Sequence, residues 1–419
     1  MYDTIFVEQH HKPAVALVNE GFVHDARSAA AGKGMPGARF VPQTVPCECT
    51  VPEKIQRGVR EAMGDIIAAL TLPLKPDEAS PPPRPTDVTR GSVFSGDLDE
   101  VQRFFYNRGW TDGLPILPPI RAAVDEMLTG TDLPADYLVG KMIPRLGKAT
   151  VEKIAINAVM AGALPTAMPL LIAGVEALLD PESGFGVFEV STGSWAPFYV
   201  INGPIREQLR INGSTGALSP GDLANATIGR ALSLIVKNLG GARKGVEDMG
   251  VLGNPAKYAM VLGENEEASP WEPQHVQHGF ASDQSCVTVS FPNSYVQIVP
   301  HGTDDRGILE TIKDRLGPQW RQLTLLVCPS HAETLADAGW STQRIIAEIE
   351  RTRPAPPATG TGRLSGPEGV RIVVAGGPGA WIGLVTGVGR WVTKPVAVPS
   401  GWGRLVKKYR DRVPNYLRY

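Results

Sequence analysis

Two proline-rich joints constrain this chain of 419 residues more than any other feature. The first centres on SPPPRP, residues 76–90, and the second is PAPPATGTGRLSG within residues 351–369. Proline fixes φ and removes a backbone donor, so neither stretch can continue a helix or an internal strand. They divide the sequence into residues 1–75, 91–350 and 370–419. A chain of this length holds two or three domains, each able to bury a core.

The first region reads as an alternation of strands and helices. Pro13–Asn19 and Ala38–Val45 are short apolar runs of strand character, and His24–Lys33 is alanine-rich and helical. Glu53–Leu70 carries Ile55, Val59, Met63, Ile66, Ile67 and Leu70 at helical spacing, with Thr50 as the expected N-cap. This pattern implies a parallel βαβ unit with only two clear strands, an incomplete domain. The region 91–350 reads as a larger mixed α/β domain. Its most apolar stretch, Ile154–Leu179, is interrupted by Pro165 and Pro169 and predicts two buried helices rather than a membrane span. Residues 370–419 read as a small βαβ-like segment with a strand over Val370–Ala375. The fold class expected is therefore α/β, of mixed α+β character.

Hydrophobic residues make up 42% and charged residues 20%, ordinary for a globular protein. The 41 basic and 43 acidic residues nearly cancel, and no basic patch with interleaved aromatics is present. Nucleic acid and membrane are thus not expected partners, and a small-molecule substrate is. Four cysteines and no recognisable export signal lead to an expected reducing, cytoplasmic setting.

Chemistry concentrates in GENEEASPWEPQHVQHGF, residues 263–280. Glu264, Glu266, Glu267 and Glu272 lie with His275, His278, Asn265 and Trp271 inside eighteen residues. Carboxylates beside imidazoles suit proton transfer, and also metal ligation, in which case Glu264, Glu266, His275 and His278 are the ligand candidates. The bland alternative is a polar surface loop. Upstream, Asn202, Arg206, Asn212, Asn225 and Arg230 offer amides and guanidinium groups suited to a small carboxylate, although Asn-Gly pairs are also turn signals. Trp110 and Asp112 belong to WTDGLP, a turn in which the carboxylate stands next to an indole.

Cys47 and Cys49 precede an expected helix N-terminus that would favour a thiolate, yet C-x-C is neither a thioredoxin-type pair nor half of a completed zinc site. Cys286 is expected to be a buried structural thiol, and Cys328 in LTLLVCP a core residue. Gly376-Gly377-Pro378-Gly379 matches no nucleotide fingerprint, and no cofactor is assigned.

Taken together, WTDGLPILPP (110–119), ATVEKIAINAVMAGALP (149–165), VINGPIREQLRIN (200–212), ANATIGRAL (224–232) and ENEEASPWEPQHV (264–276) resemble bacterial proteins of the UGSC (seleno)protein group. That group is named for a Sec/Cys–Gly–Ser–Cys loop in a small α/β domain. Residues 13–75 resemble the later part of that domain, and the loop itself has no counterpart here. The resemblance implies an enzyme subunit of thiol or selenol chemistry, an oxidoreductase or lyase, completed by a small partner subunit that supplies the loop. In that scheme Glu264, Glu266 and His275 handle protons, Asp112 and Glu272 orient them, and Trp110, Trp271 and the upstream Asn and Arg residues bind substrate. A metal-dependent lyase or hydrolase and a non-catalytic binding subunit are the alternatives.

Overall fold

In the computed structural model, residues 1–45, 50–79, 91–316, 322–351 and 369–413 are described. Cys47 and Cys49 lie outside these residues.

The N-terminal region is the expected βαβ unit. β1 (Ala16–Asn19) and β2 (Phe40–Gln43) pair in parallel, with the helix Val23–Gly32 between them. Ala26, Ala29 and Ala30 are buried on this helix, their small side chains allowing close approach. The periodic run after β2 divides at Ala62 into helices Pro52–Glu61 and Met63–Thr71. Val51, not Thr50, occupies the first cap, and Pro52 at the first helical position needs no donor there.

A small antiparallel hairpin, β3 (Leu138–Met142) and β4 (Gly147–Thr150), leads into the buried helices. The apolar stretch breaks where proline requires it: Val151–Ala161 ends at Gly162 in the left-handed region (φ 83°), and Met168–Leu179 starts after a turn over Pro165–Ala167. These two helices and Leu223–Ile235 pack into the main core.

β5 (Phe198–Asn202), β6 (Val261–Gly263), β7 (Cys286–Ile298), β8 (Gln322–Val327), β9 (Val370–Val374) and β10 (Ile382–Pro395) form one mixed sheet in the order β6-β5-β7-β10-β8-β9. β9 and β10, which lie beyond the second joint, thus share one sheet with strands that precede it. β10 reaches across to pair with both β7 and β8, long-range registers with no local sequence signature. The pairing of the two longest strands shifts register near Gly387 and between Val388 and Val392.

The sheet has two faces, an outer one against helices and an inner one. Tyr199, Ile201, Val287, Val289 and Phe291 face the main helical core. Leu323, Leu325, Val327, Ile372 and Val374 face a second helical layer of Asp305–Leu316, Pro329–Asp337 and Thr342–Arg351. Alternation sends Phe198, Val200, Leu262, Leu326, Val373 and Val385 to the inner face, where they cluster. The edges approach each other: the N–H of Asn265, just after β6, donates to the Val374 carbonyl of β9 (2.8 Å).

Candidate functional site

The inner face becomes polar at the ends of β5 and β6. Asn202 continues the Phe198–Val200 row, and Glu264 follows Leu262 past Gly263. Asn202 Nδ2 donates to Glu264 Oε2 (2.5 Å) and to Glu266 Oε1 (3.0 Å), tying two carboxylates to one amide. The Gln274 backbone N–H gives Glu264 Oε2 a second donor at 2.8 Å, and the Gly203 N–H donates to Glu266 at 2.8 Å. Gly203 holds φ 79°, and a Cβ there would meet the Gln284 carbonyl oxygen at 2.4 Å, so glycine is required for this N–H to point inward.

Arg206 neutralises the group. It bonds the Glu264 carbonyl (2.7 Å), pairs with Glu266 (3.0 Å) and makes a two-pronged contact with Glu267 at 3.2 and 2.8 Å. Asn202, Glu264 and His275 are fully or almost fully buried, while Glu267 is mostly exposed at the surface end. Burial, reinforced by the neighbouring Glu266 charge, pushes the Glu264 carboxyl up to about 7 against its hydrogen bonds from Gln274 and Asn202. His275 lies with Nδ1 4.0 Å from Glu266, and burial lowers its pKa more than Glu266 raises it, leaving a neutral imidazole. The backbone of Ala281 and Ser282 lies near its ring without closing a regular hydrogen bond.

Glu264, Glu266, His275, Asn202 and Arg206 therefore come together as the sequence suggested, and the polar-surface-loop reading does not describe them. His278 does not join them. It is exposed at the C-cap of the four-residue helix Gln274–Gln277, and the expected four-ligand metal set is corrected on that ground. Among the described residues, no group of three or more His, Cys, Asp or Glu side chains is arranged to hold a metal ion.

The expected carboxylate-binding set is corrected as well. Arg206 and Arg230 are both engaged by the chain's own acids, Arg230 making a bidentate pair with Asp112 at 2.8 and 2.9 Å. Arg230 also bonds the Pro115 carbonyl, so this pair pins the WTDGLP turn instead of orienting the Glu264 group. Asn212 and Asn225 brace a loop: Asn225 bonds the Asn212 backbone and the Val261 carbonyl, and Asn212 bonds Asp222. Trp110 packs edge-on to Phe104 and Phe105. Trp271 donates to the Trp340 carbonyl at 2.9 Å, away from the cluster, and Glu272 is exposed. Cys286 is buried as expected, and burial together with the Glu266 charge pushes its thiol up to about 12.

Sequence reasoning missed the polar row that continues from Glu264 across the sheet. Gln274 Oε1 is 3.5 Å from the Thr288 hydroxyl, which bonds Thr393 at 2.9 Å. Arg371 reaches Thr393 and stacks over Trp391 (5.0 Å), whose indole donates to Thr324. A single Arg inside the apolar run VRIVVA was the available signal, because a buried guanidinium needs partners. Asn202 Oδ1 and Gln274 Nε2 are buried here without a hydrogen-bond partner.

Residues 1–72 match the model of the UGSC family. The N-terminal region belongs to the UGSC family. No curated protein and no solved structure matches the chain. The UGSC segment docks on the central domain through another set of acids. Glu247, fully buried, is held by Arg145 (2.9 Å), Arg243 (2.6 Å) and Ser28 of the UGSC segment (2.8 Å). Burial and then the Glu247 charge push the nearby Asp25 up to about 6. Among the described residues, no helix is long and apolar enough to cross a membrane.

Proposed function

We propose that this chain is a subunit of a small-molecule enzyme of thiol or selenol chemistry, with Glu264 as the group that holds and delivers the proton. The observation that carries this reading is a fully buried carboxyl bridged by Asn202 to Glu266, and that burial pushes its pKa up to about 7. Such a group donates and accepts with little driving force in either direction, which is what general acid–base work requires. Glu266 and the neutral His275 set its field, and Arg206 keeps the excess charge compensated. Reductive cleavage or addition–elimination at an activated carbon needs a nucleophilic sulfur or selenium together with such an acid.

The partner belongs to the same proposal. β1 and β2 make a two-stranded parallel sheet, and among the described residues no further strand covers either edge. Two strands alone bury too little to be stable independently, and open edges accept a strand from another chain. Beside them the helix Met63–Thr71 buries none of its residues and exposes Met63, Ile67 and Leu70. A small subunit adding strands to this sheet and covering that helix would place its own reactive loop on the UGSC segment.

Purification from the native host is expected to yield a second, small chain that leaves on mild denaturation. The reconstituted pair should consume an electrophile from a panel of carbonyl and thioether compounds, followed by mass spectrometry. Glu264→Gln should abolish turnover with unchanged circular dichroism. Full turnover by this variant would make the chain a non-catalytic binding subunit.

A further inference from the structure

Both described thiols are buried, and Cys328 lies outside the acid cluster with an imidazole beside it. β8 ends at Val327 and delivers Cys328 to the cap of the helix Pro329–Asp337, with Pro329 in its first turn and His331 in the third helical position. A side chain at that position folds back toward the cap, the geometry capping boxes use. Here it brings His331 Nδ1 within 3.3 Å of Cys328 Sγ, while the thiol reaches the Gly379 carbonyl at 3.1 Å.

Cys328 also lines a cavity of about 320 Å³ on the inner face. Leu262 and Leu326 make an apolar floor, Tyr295 and Gln297 one wall, and the Gly376–Gly379 loop another. That loop comes close because Gly377 has no side chain: a Cβ there would fall 2.0 Å from the Thr215 hydroxyl. None of the described lining residues carries a charge, so the space suits an uncharged ligand.

We propose that Cys328 is a nucleophilic thiol with His331 as its proton acceptor, and that the cavity binds a small uncharged carbonyl compound. The Sγ–C bond forms as the S–H bond breaks. The proton passes to His331 Nδ1, the carbonyl π pair moves to oxygen, and that oxygen takes the proton back to give a hemithioacetal. Atoms and electrons balance without an oxidant. Burial lowers the His331 pKa, which keeps the imidazole neutral and able to accept. This site stands or falls independently of Glu264.

The test is alkylation of the full chain by iodoacetamide from pH 5 to 9, with Cys328 and Cys286 peptides quantified by mass spectrometry in one sample. Cys328, which lines the cavity, is expected to react at least about ten-fold faster at pH 7 than Cys286, whose thiol burial pushes up to about 12. His331→Asn should slow labelling and move its pH profile upward. Millimolar propanal should protect wild-type Cys328 in a saturable way and leave Cys286 unaffected, a readout that needs no variant. An unlabelled Cys328, a pH profile unchanged in His331→Asn, or labelling indifferent to propanal would each overturn the assignment.

Discussion

The UGSC segment and the central sheet are built on opposite economies of surface. In the segment two strands pair with each other alone, and a whole helix buries none of its residues. In the central domain β5, β8 and β9 are buried at every position, and even the charged groups Glu264, Arg206 and Arg371 lie inside. The difference separates two tasks. A sheet with open edges is suited to another chain, and a sheet closed on both faces is suited to holding titratable groups away from water, where their pKa values move.

If that contrast is right, mutations should act on stability in the central domain and on association in the UGSC segment. Arg206→Ala leaves Glu266, and the negative end of the cluster, without their cation. Removing one partner of a buried ion pair costs about 3–5 kcal/mol, so denaturant unfolding should show a loss of that order or a chain that fails to fold. A loss below about 1 kcal/mol, the range of an exposed pair, would break the comparison.

Next in size is the pH dependence of Glu264. Its carboxyl titrates near 7 in the folded chain and near 4.5 when unfolded, so the protonated form favours folding. Stability from this group is fully present below pH 4.5, falls between 4.5 and 7, and is lowest above 7. Glu264→Gln cannot ionise and should therefore gain about 1–3 kcal/mol on wild type between pH 5 and pH 8, a shift of one unit being worth 1.36 kcal/mol. Thermal melts at the two pH values measure this difference, and equal gains would contradict it.

Asp25 should behave the same way more weakly, because it is only partly buried against Glu247 at the junction. Its contribution is lost as pH rises from 3.8 through about 6. Asp25→Asn should hold the UGSC segment more firmly at pH 8 by about 1 kcal/mol or less. Slower amide exchange over residues 23–32 relative to wild type at pH 8, but not at pH 4, would show it. Smallest of all is Ile67→Ala, on the exposed helix. Its effect on unfolding should be within about 0.5 kcal/mol, while recovery of the small partner in purification should drop. A loss of stability comparable to a core substitution would show that the helix packs within its own chain.

Much of the local structure was legible in the sequence. Proline at 165 placed the break between two buried helices, and alternating apolar runs marked the βαβ unit. The convergence of Glu264, Glu266 and His275 with Asn202 and Arg206 was also readable, because so many acid–base groups are costly to bury unless they pair. What stayed hidden depends on tertiary registers. The pairing of β10 with β7 and β8 joins residues far apart in sequence, so the last region looked separate from the rest. Arg230 and Asp112 each suited a ligand by type, and only the fold reveals that they answer each other. Cys328 is buried, as the LTLLV before it suggested, but its imidazole neighbour went unread. The overlooked signal was C-P-S-H directly after a strand, a thiol at a helix cap with an imidazole three residues on.

The most direct test follows the Glu264 carboxyl itself. Infrared difference spectra of wild type minus Glu264→Gln, taken between pH 4 and 9, isolate its protonated C=O stretch. Loss of that band with a midpoint about 7 is predicted; a midpoint in the ordinary carboxylate range near 4.5 would contradict the account.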